Sequence, residues 1–324
     1  MRKHITLVAA ATTVLLTAAC GSGSGGSSGT SSGKPELVFI QGVAGDTFYV
    51  TMQCGAEAEA KKQGATVKTQ GPQKFDSSLQ TPIVQSVVAS KPDAILIAPT
   101  DVAALQQPLE QAKRAGIKVV LVDTTLKDPS VAVSSVSSDN VAGGTTAFEA
   151  LKQSIPDGGK VLVMSQQPGV STTDEREKGF AEAVKKDPKY QYLGVQYAQN
   201  DPQKAAQIIS AALQKDPDIA GVFAVDLDSA QGTVTGVKQS NKAGKVKIVG
   251  FDAGPDQVDA LADGTVQALV AQQPYDMGVQ GVQQAINAID GKSTTKKIGT
   301  KFTILTKDNL ESSEGKAAVY QSSC

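Results

Sequence analysis

One pattern, present twice, limits what this chain can fold into. Residues 91–125 read as KPDAILIAPTD, a helix-period stretch, then AGIKVVLVDTT; residues 216–254 read as DPDIAGVFAVD, another such stretch, then AGKVKIVGFDAG. Each copy is an apolar run after Pro-Asp that ends on an acid, a polar helical segment, and an apolar run after Ala-Gly that again ends on Asp. Short continuous apolar runs separated by helix-period segments mark buried parallel strands and their crossover helices. Two such units imply two similar lobes, with a chance likeness between generic α/β units as the competing reading. In open parallel sheets ligands bind beyond the carboxyl ends of the strands, where Asp101, Asp123, Asp226 and Asp252 stand. Lobes that face each other bring such acids to one cleft.

The alternation extends over most of the chain. Strands are expected at residues 36–41, 65–69, 94–98, 117–122 and 131–135, with helices at 47–63, 77–90 and 102–115 between the earlier ones. A second series runs from the helix at 140–155, capped by Ser138 or Asp139, through the helix at 173–186 to the strand at 246–251. A strand at 266–272, a helix at 275–289 and a strand at 302–306 are left over after two near-complete lobes. Leftover elements mean that the chain crosses between lobes more than once, which makes a hinge rather than a loose linker.

The start of the chain sets the compartment. Met1-Arg2-Lys3-His4 is a positive n-region, residues 5–16 are apolar, and Thr17-Ala18-Ala19-Cys20 is a small-residue cleavage site. The apolar stretch is too short for a membrane span, so residues 1–19 read as an export signal. Residues 16–21, LTAACG, resemble a bacterial lipobox, with the favoured leucine one place early; a lipid on Cys20 is expected. Residues 20–33 then form the lipidated cysteine and a Gly/Ser/Thr tether, of about 20 Å root-mean-square reach. The GxGxxG within the tether has no strand before it and no helix after it, so it is no nucleotide fingerprint.

Composition removes whole classes of function. His4 is the only histidine and lies in the signal, which excludes Ser-His-Asp and Cys-His catalysis and the usual imidazole ligands of catalytic zinc. Without the signal, 29 basic residues face 32 acidic ones, and no basic tract follows a nucleic-acid backbone. No Walker loop occurs, and no cofactor or metal is implied. Carboxylates placed symmetrically across two lobes suit hydrogen bonding to a polar ligand better than acid–base catalysis.

A family resemblance rests on motifs in order: AGDTFY at 44–49, APTD at 98–101, VD at 122–123, SSDNVAGG at 137–144, DEREKGF at 174–180, VGFD at 249–252 and AQQP at 271–274. The chain resembles type I periplasmic sugar-binding proteins of the ribose-binding branch, over about residues 35–310. The resemblance implies an α/β fold: two Rossmann-like lobes with parallel sheets, joined by a three-crossing hinge. It further implies an N-terminal lobe of residues 34–138 plus 273–301 and a C-terminal lobe of 139–272 plus 302–310. A lipid-anchored receptor of this type closes around a sugar and hands it to an ABC permease with its ATPase. It is expected to act as a monomer, anchored to the outer face of the bacterial cell membrane. Position by position, Asp46, Phe48, Tyr49, Asp123 and Ser138 fall on the first lobe, and Arg176, Asp226, Asp252 and Gln272 on the second or at the crossings. Carboxylates accept adjacent hydroxyl protons, Arg176 donates a fork of bonds, and aromatic rings cover a C–H face. Tyr49 is equally readable as core, since it shares a helix face with Met52 and Ala56. Arg176 falls in the first turn of its expected helix, where a cation opposes the dipole, and Asp101 reads as a helix-start residue.

Ala98, Thr124 and Asp226 depart from the ribose pattern, and an aromatic expected near Asn200 is missing. Asp46, Asp123, Asp226 and Asp252 against Arg176 alone repel an anion, so a neutral sugar or polyol is expected, with an amino-bearing ligand second. Cys54 and Cys324 remain. In an exported chain they favour a disulfide that pins the tail, residues 311–324, back on the first lobe, with a buried Cys54 thiol as the alternative. A receptor that presents its ligand to a membrane sensor, or binds a small quorum signal, is the other functional reading; an enzyme comes third.

Overall fold

The computed structural model describes residues 33–324. The expected export signal, Cys20 and the tether up to residue 32 lie outside the described residues. In chain order the elements begin β1 (Glu36–Ile40), α1 (Thr47–Lys62), β2 (Thr66–Gln70), α2 (Ser77–Ser90), β3 (Ala94–Ile97), α3 (Gln106–Arg114), β4 (Lys118–Val122) and β5 (Ser134–Ser138). The second series is α4 (Asn140–Ser154), β6 (Gly159–Ser165), α5 (Ser171–Val184), β7 (Tyr190–Tyr197), α6 (Pro202–Lys215), β8 (Ile219–Ala224), α7 (Leu227–Gln239), β9 (Lys247–Phe251), α8 (Pro255–Ala262) and β10 (Ala268–Ala271). The chain ends with α9 (Pro274–Ile289), β11 (Lys297–Thr300), β12 (Thr303–Leu305) and α10 (Ser313–Ala317).

The strands form two six-stranded sheets, ordered β11-β5-β4-β3-β1-β2 and β12-β10-β9-β8-β6-β7. Every pairing is parallel except β10 with β12. The same order in both sheets is the two-lobe architecture that the repeated unit implies. The chain passes between sheets after β5, after β10 and after β11, which makes three crossings. Inner strands are apolar on both faces because helices cover both. In β1, Leu37 and Phe39 join one core layer while Val38 and Ile40 join the other.

Glycines bring helices into backbone contact in both lobes. A Cβ on Gly55 of α1 would run into the carbonyl of Tyr275, and one on Gly278 of α9 into that of Met52. In the second lobe Gly144 of α4 meets the carbonyl of Arg176, and Gly179 of α5 meets that of Val141. Only glycine lets helices approach this closely.

Several expected boundaries move. The strand expected at 131–135 lies at 134–138: Val131 closes a 3-10 turn whose Asp128 cap accepts from the Ser130 amide, and Val131 and Ala132 fill the core from that turn. Helix α3 begins at Gln106 rather than 102; Asp101 accepts from the Ala103 and Ala104 amides and so caps a turn ahead of the helix. Helix α5 begins two residues early, at Ser171, which puts Arg176 in its second turn, so a cation opposing the first-turn dipole is not its situation. The sulfurs of Cys54 and Cys324 are bonded. No helix among the described residues is long and apolar enough to cross a membrane.

Candidate functional site

The carboxyl ends of both sheets face one cleft. Asp123 follows β4 and Asp252 follows β9, each in the left-handed region (φ 62° and 79°), which aspartate tolerates better than most residues. Each amide donates to the next strand, Asp123 to the Val136 carbonyl (2.8 Å) and Asp252 to that of Val270 (2.9 Å). The repeated apolar-run-then-Asp motif therefore builds the same turn twice and aims two carboxylates inward. One oxygen of each is occupied: Asp123 Oδ2 accepts from the Tyr49 hydroxyl (2.8 Å), and Asp252 Oδ1 accepts from Gln272 Nε2 (2.7 Å) and the Tyr320 hydroxyl (3.0 Å). Asp123 Oδ1 and Asp252 Oδ2 have no partner among the described residues.

Arg176 projects from α5 between them. Its Nε donates to Asn140 Oδ1 (2.9 Å) and its Nη1 to the Val225 carbonyl (2.8 Å). The guanidinium carbon lies 3.8 Å above the Phe251 ring, a cation–π seat. It has no ion pair within 4.0 Å among the described residues, and its Nη2 donors are uncommitted. Asp226, at the end of β8, caps α7 by accepting from the Ser229 amide (2.8 Å) and hydroxyl (3.1 Å). Asp46 caps α1 through the Phe48 amide (2.8 Å) and also lines the cleft.

Asp123, Arg176, Asp226 and Asp252 are only 7 %, 3 %, 5 % and 4 % exposed, so the lobes are closed. Closure raises the carboxyl pKa values. Burial pushes Asp123 up to about 6, against the pull of Arg176 and the Tyr49 hydrogen bond. Burial takes Asp226 to about 7 despite the Ser229 amide, with the charges of Asp228 and Asp252 adding to the rise. Asp252 is raised by burial over the opposing Arg176, Gln272 and Tyr320, and Asp46 is raised by burial as well. Neutral carboxyls donate as well as accept, which suits a hydroxylated ligand. No three His, Cys, Asp or Glu residues among the described ones are placed to hold a metal ion.

Of the nine expected ligand residues, eight line the cleft: Asp46, Phe48, Tyr49, Asp123, Arg176, Asp226, Asp252 and Gln272. Ser138 does not. It donates to Gln272 Oε1 (2.9 Å) and so holds the glutamine that holds Asp252. Tyr49 serves as core and site together, with its ring buried and its hydroxyl on Asp123. The sequence reading missed Phe75, Gln166 and Asp228, which also line the cleft, and Tyr320 behind it. Asp228 had a signal, since it stands two residues beyond Asp226, in the first turn of α7. Phe75 also lies beyond a strand's carboxyl end, that of β2. With Asp228, five carboxyl groups face one guanidinium.

A family model described as "Periplasmic binding protein domain" matches residues 37–293. The ribose import binding protein RbsB of Bacillus subtilis is 34 % identical over 259 residues, 80 % of this chain and 83 % of that protein. Among solved structures, an ABC transporter solute-binding protein from Agrobacterium vitis with α-D-tagatopyranose bound is 41 % identical. It has a TM-score of 0.87 and covers 89 % of this chain and all of that one. A second protein from the same organism, with D-fucose bound, is 33 % identical at a TM-score of 0.84, over 88 % of this chain and all of its own. These relatives bind solutes and are not enzymes, and neither is this chain. It belongs to the periplasmic binding protein family, among the sugar-binding receptors of ABC transporters.

Proposed function

We propose that this protein captures a small neutral sugar or polyol by hinge closure and delivers it to the permease and ATPase of an ABC importer, held at the outer face of the cell membrane by a lipid on Cys20. The observation that carries the reading is the matched pair Asp123 and Asp252, each with one oxygen hydrogen-bonded and the other unpartnered in the cleft. Two acceptors from opposite lobes join the lobes only when hydroxyl donors lie between them. Arg176 Nη2 supplies a donor for a ring or hydroxyl oxygen, and Phe48, Tyr49 and Phe75 supply faces for C–H groups. Relatives that carry ribose, tagatopyranose or fucose by name support a monosaccharide.

The test is a thermal-shift screen of pentoses, hexoses, polyols and amino sugars, with uronic acids and sugar phosphates as controls. A ligand that binds only the folded form raises the midpoint. One neutral compound should do so, and Asp123→Ala and Asp252→Ala should abolish the shift. A tight anionic sugar overturns the charge argument, and no shift with any sugar overturns the ligand class.

A further inference from the structure

The chain does not end at its third crossing. Beyond β12, in the second lobe, it runs through α10 and returns to α1 of the first lobe, where Cys324 is bonded to Cys54 and the Gln321 amide donates to Thr51 Oγ1 (2.7 Å). On the way it buries Tyr320 between the lobes. The Tyr320 amide donates to the Ala253 carbonyl (2.9 Å), its hydroxyl donates to Asp252 Oδ1 (3.0 Å), and that hydroxyl oxygen accepts from the Gln272 backbone amide (3.1 Å). Its ring meets Phe48 edge-on at 5.7 Å between centroids. One side chain thus touches the strand-end carboxylate of one lobe, the crossing glutamine and a cleft ring of the other lobe.

We infer that this tail is a fourth crossing, closed by Cys54–Cys324, and that Tyr320 is a positioning residue which turns the Asp252 carboxylate so that its Oδ2 faces the ligand. A carboxylate held by one donor can rotate about its Cβ–Cγ bond. Two donors on the same oxygen, Gln272 Nε2 and the Tyr320 hydroxyl, fix its plane. Chain termini fray unless tied down, and the bond to Cys54 four residues after Tyr320 supplies the tie. Reduction therefore acts on the ligand site from a distance, by releasing the residue that orients Asp252.

The test reads Asp252 directly in the ligand-free protein, by carboxyl 13C NMR across pH, with the resonance assigned from its loss in Asp252→Asn. The groups that face Asp252 are Arg176 from α5, Asp46 and Tyr49 from α1, Asp123 after β4, Asp226 before α7 and Tyr320 itself. Tyr320→Phe keeps the ring and removes one donor to the ionised form, so the Asp252 midpoint should rise. The double variant Cys54→Ser/Cys324→Ser should move it the same way with Tyr320 intact. A midpoint unchanged in Tyr320→Phe overturns the positioning role, and one unchanged in the double variant overturns the role of the disulfide. The ligand arm rests on the sugar-binding reading: affinity for the best of D-ribose, D-tagatose, D-fucose and D-arabinose should fall about tenfold in Tyr320→Phe. If no sugar or polyol of the thermal-shift panel binds the wild-type protein, that reading fails, and the carboxyl titration still decides the role of Tyr320.

Discussion

Asp226→Asn should keep the empty protein closed at a pH where the wild-type protein opens. In the closed form the Asp226 pKa rises from 3.8 to about 7, chiefly through burial, and opening the lobes returns the carboxyl to water. The closed form therefore holds the proton more tightly than the open form. Closure is fully favoured below about pH 4 and loses about 1.4 kcal/mol per pH unit above it, until the proton leaves the closed form near pH 7. Over that span Asp226 costs the closed form about 4 kcal/mol, and Asp123, raised to about 6, costs about 3 kcal/mol by the same linkage. Asparagine caps a helix as well as aspartate does, so the Ser229 amide keeps its acceptor while the ionisation disappears. Small-angle scattering of the sugar-free protein from pH 5 to 8 measures the outcome as a radius of gyration. The wild-type radius should grow as pH rises past 6, and the variant should stay compact to higher pH. Superimposable radius–pH curves for the two proteins would refute the reasoning.

Gln80 is fully buried; its Nε2 donates to the carbonyls of Gln41 (3.1 Å) and Ala98 (2.8 Å), and its Oε1 accepts from the amide (2.9 Å) and hydroxyl (3.0 Å) of Thr100. Gln80→Ala strands these groups and should cost about 3 kcal/mol or more in urea unfolding; a loss below 1 kcal/mol would mean that water replaces the side chain. Gly144→Ala places a methyl against the Arg176 carbonyl and the Phe180 amide nitrogen. Overpacking of this kind costs about 1–3 kcal/mol, and because α5 must retreat with Arg176, sugar affinity measured calorimetrically should fall too.

Asp123 and Asp252 were legible because a repeated strand ended on the same residue type, and the left-handed turn after each strand follows from that motif. The repeat misled where it was only textual. Asp101 and Asp226 occupy equal places in the two copies, yet Asp226 caps a helix in the cleft and Asp101 caps a surface turn. Strand β11 escaped notice because Lys-Ile-Gly-Thr at a sheet edge is half exposed and carries no apolar run. Helix α8, only eight residues long, is too short to establish a period. Tyr320 sits in a polar tail with no periodicity, and its place depends on a disulfide 270 residues apart in sequence. The two remaining cysteines implied the bond that pins the tail, but nothing in the local pattern says which tail side chain that bond brings to Asp252.

The glycine contacts between α1 and α9 and between α4 and α5 have a mechanical consequence. Where two helices touch backbone to backbone, no side chain remains between them to change rotamer and absorb strain. Each lobe then moves as a stiff plate, and the compliance of the molecule is concentrated in the few residues that cross between plates. A shift of an ångström at the Asp123 and Asp252 carboxyls is thereby enlarged, in proportion to distance from the pivot, at the outer rims of both lobes. Any surface that reads occupancy from outside gains from standing at the rim, farthest from the axis.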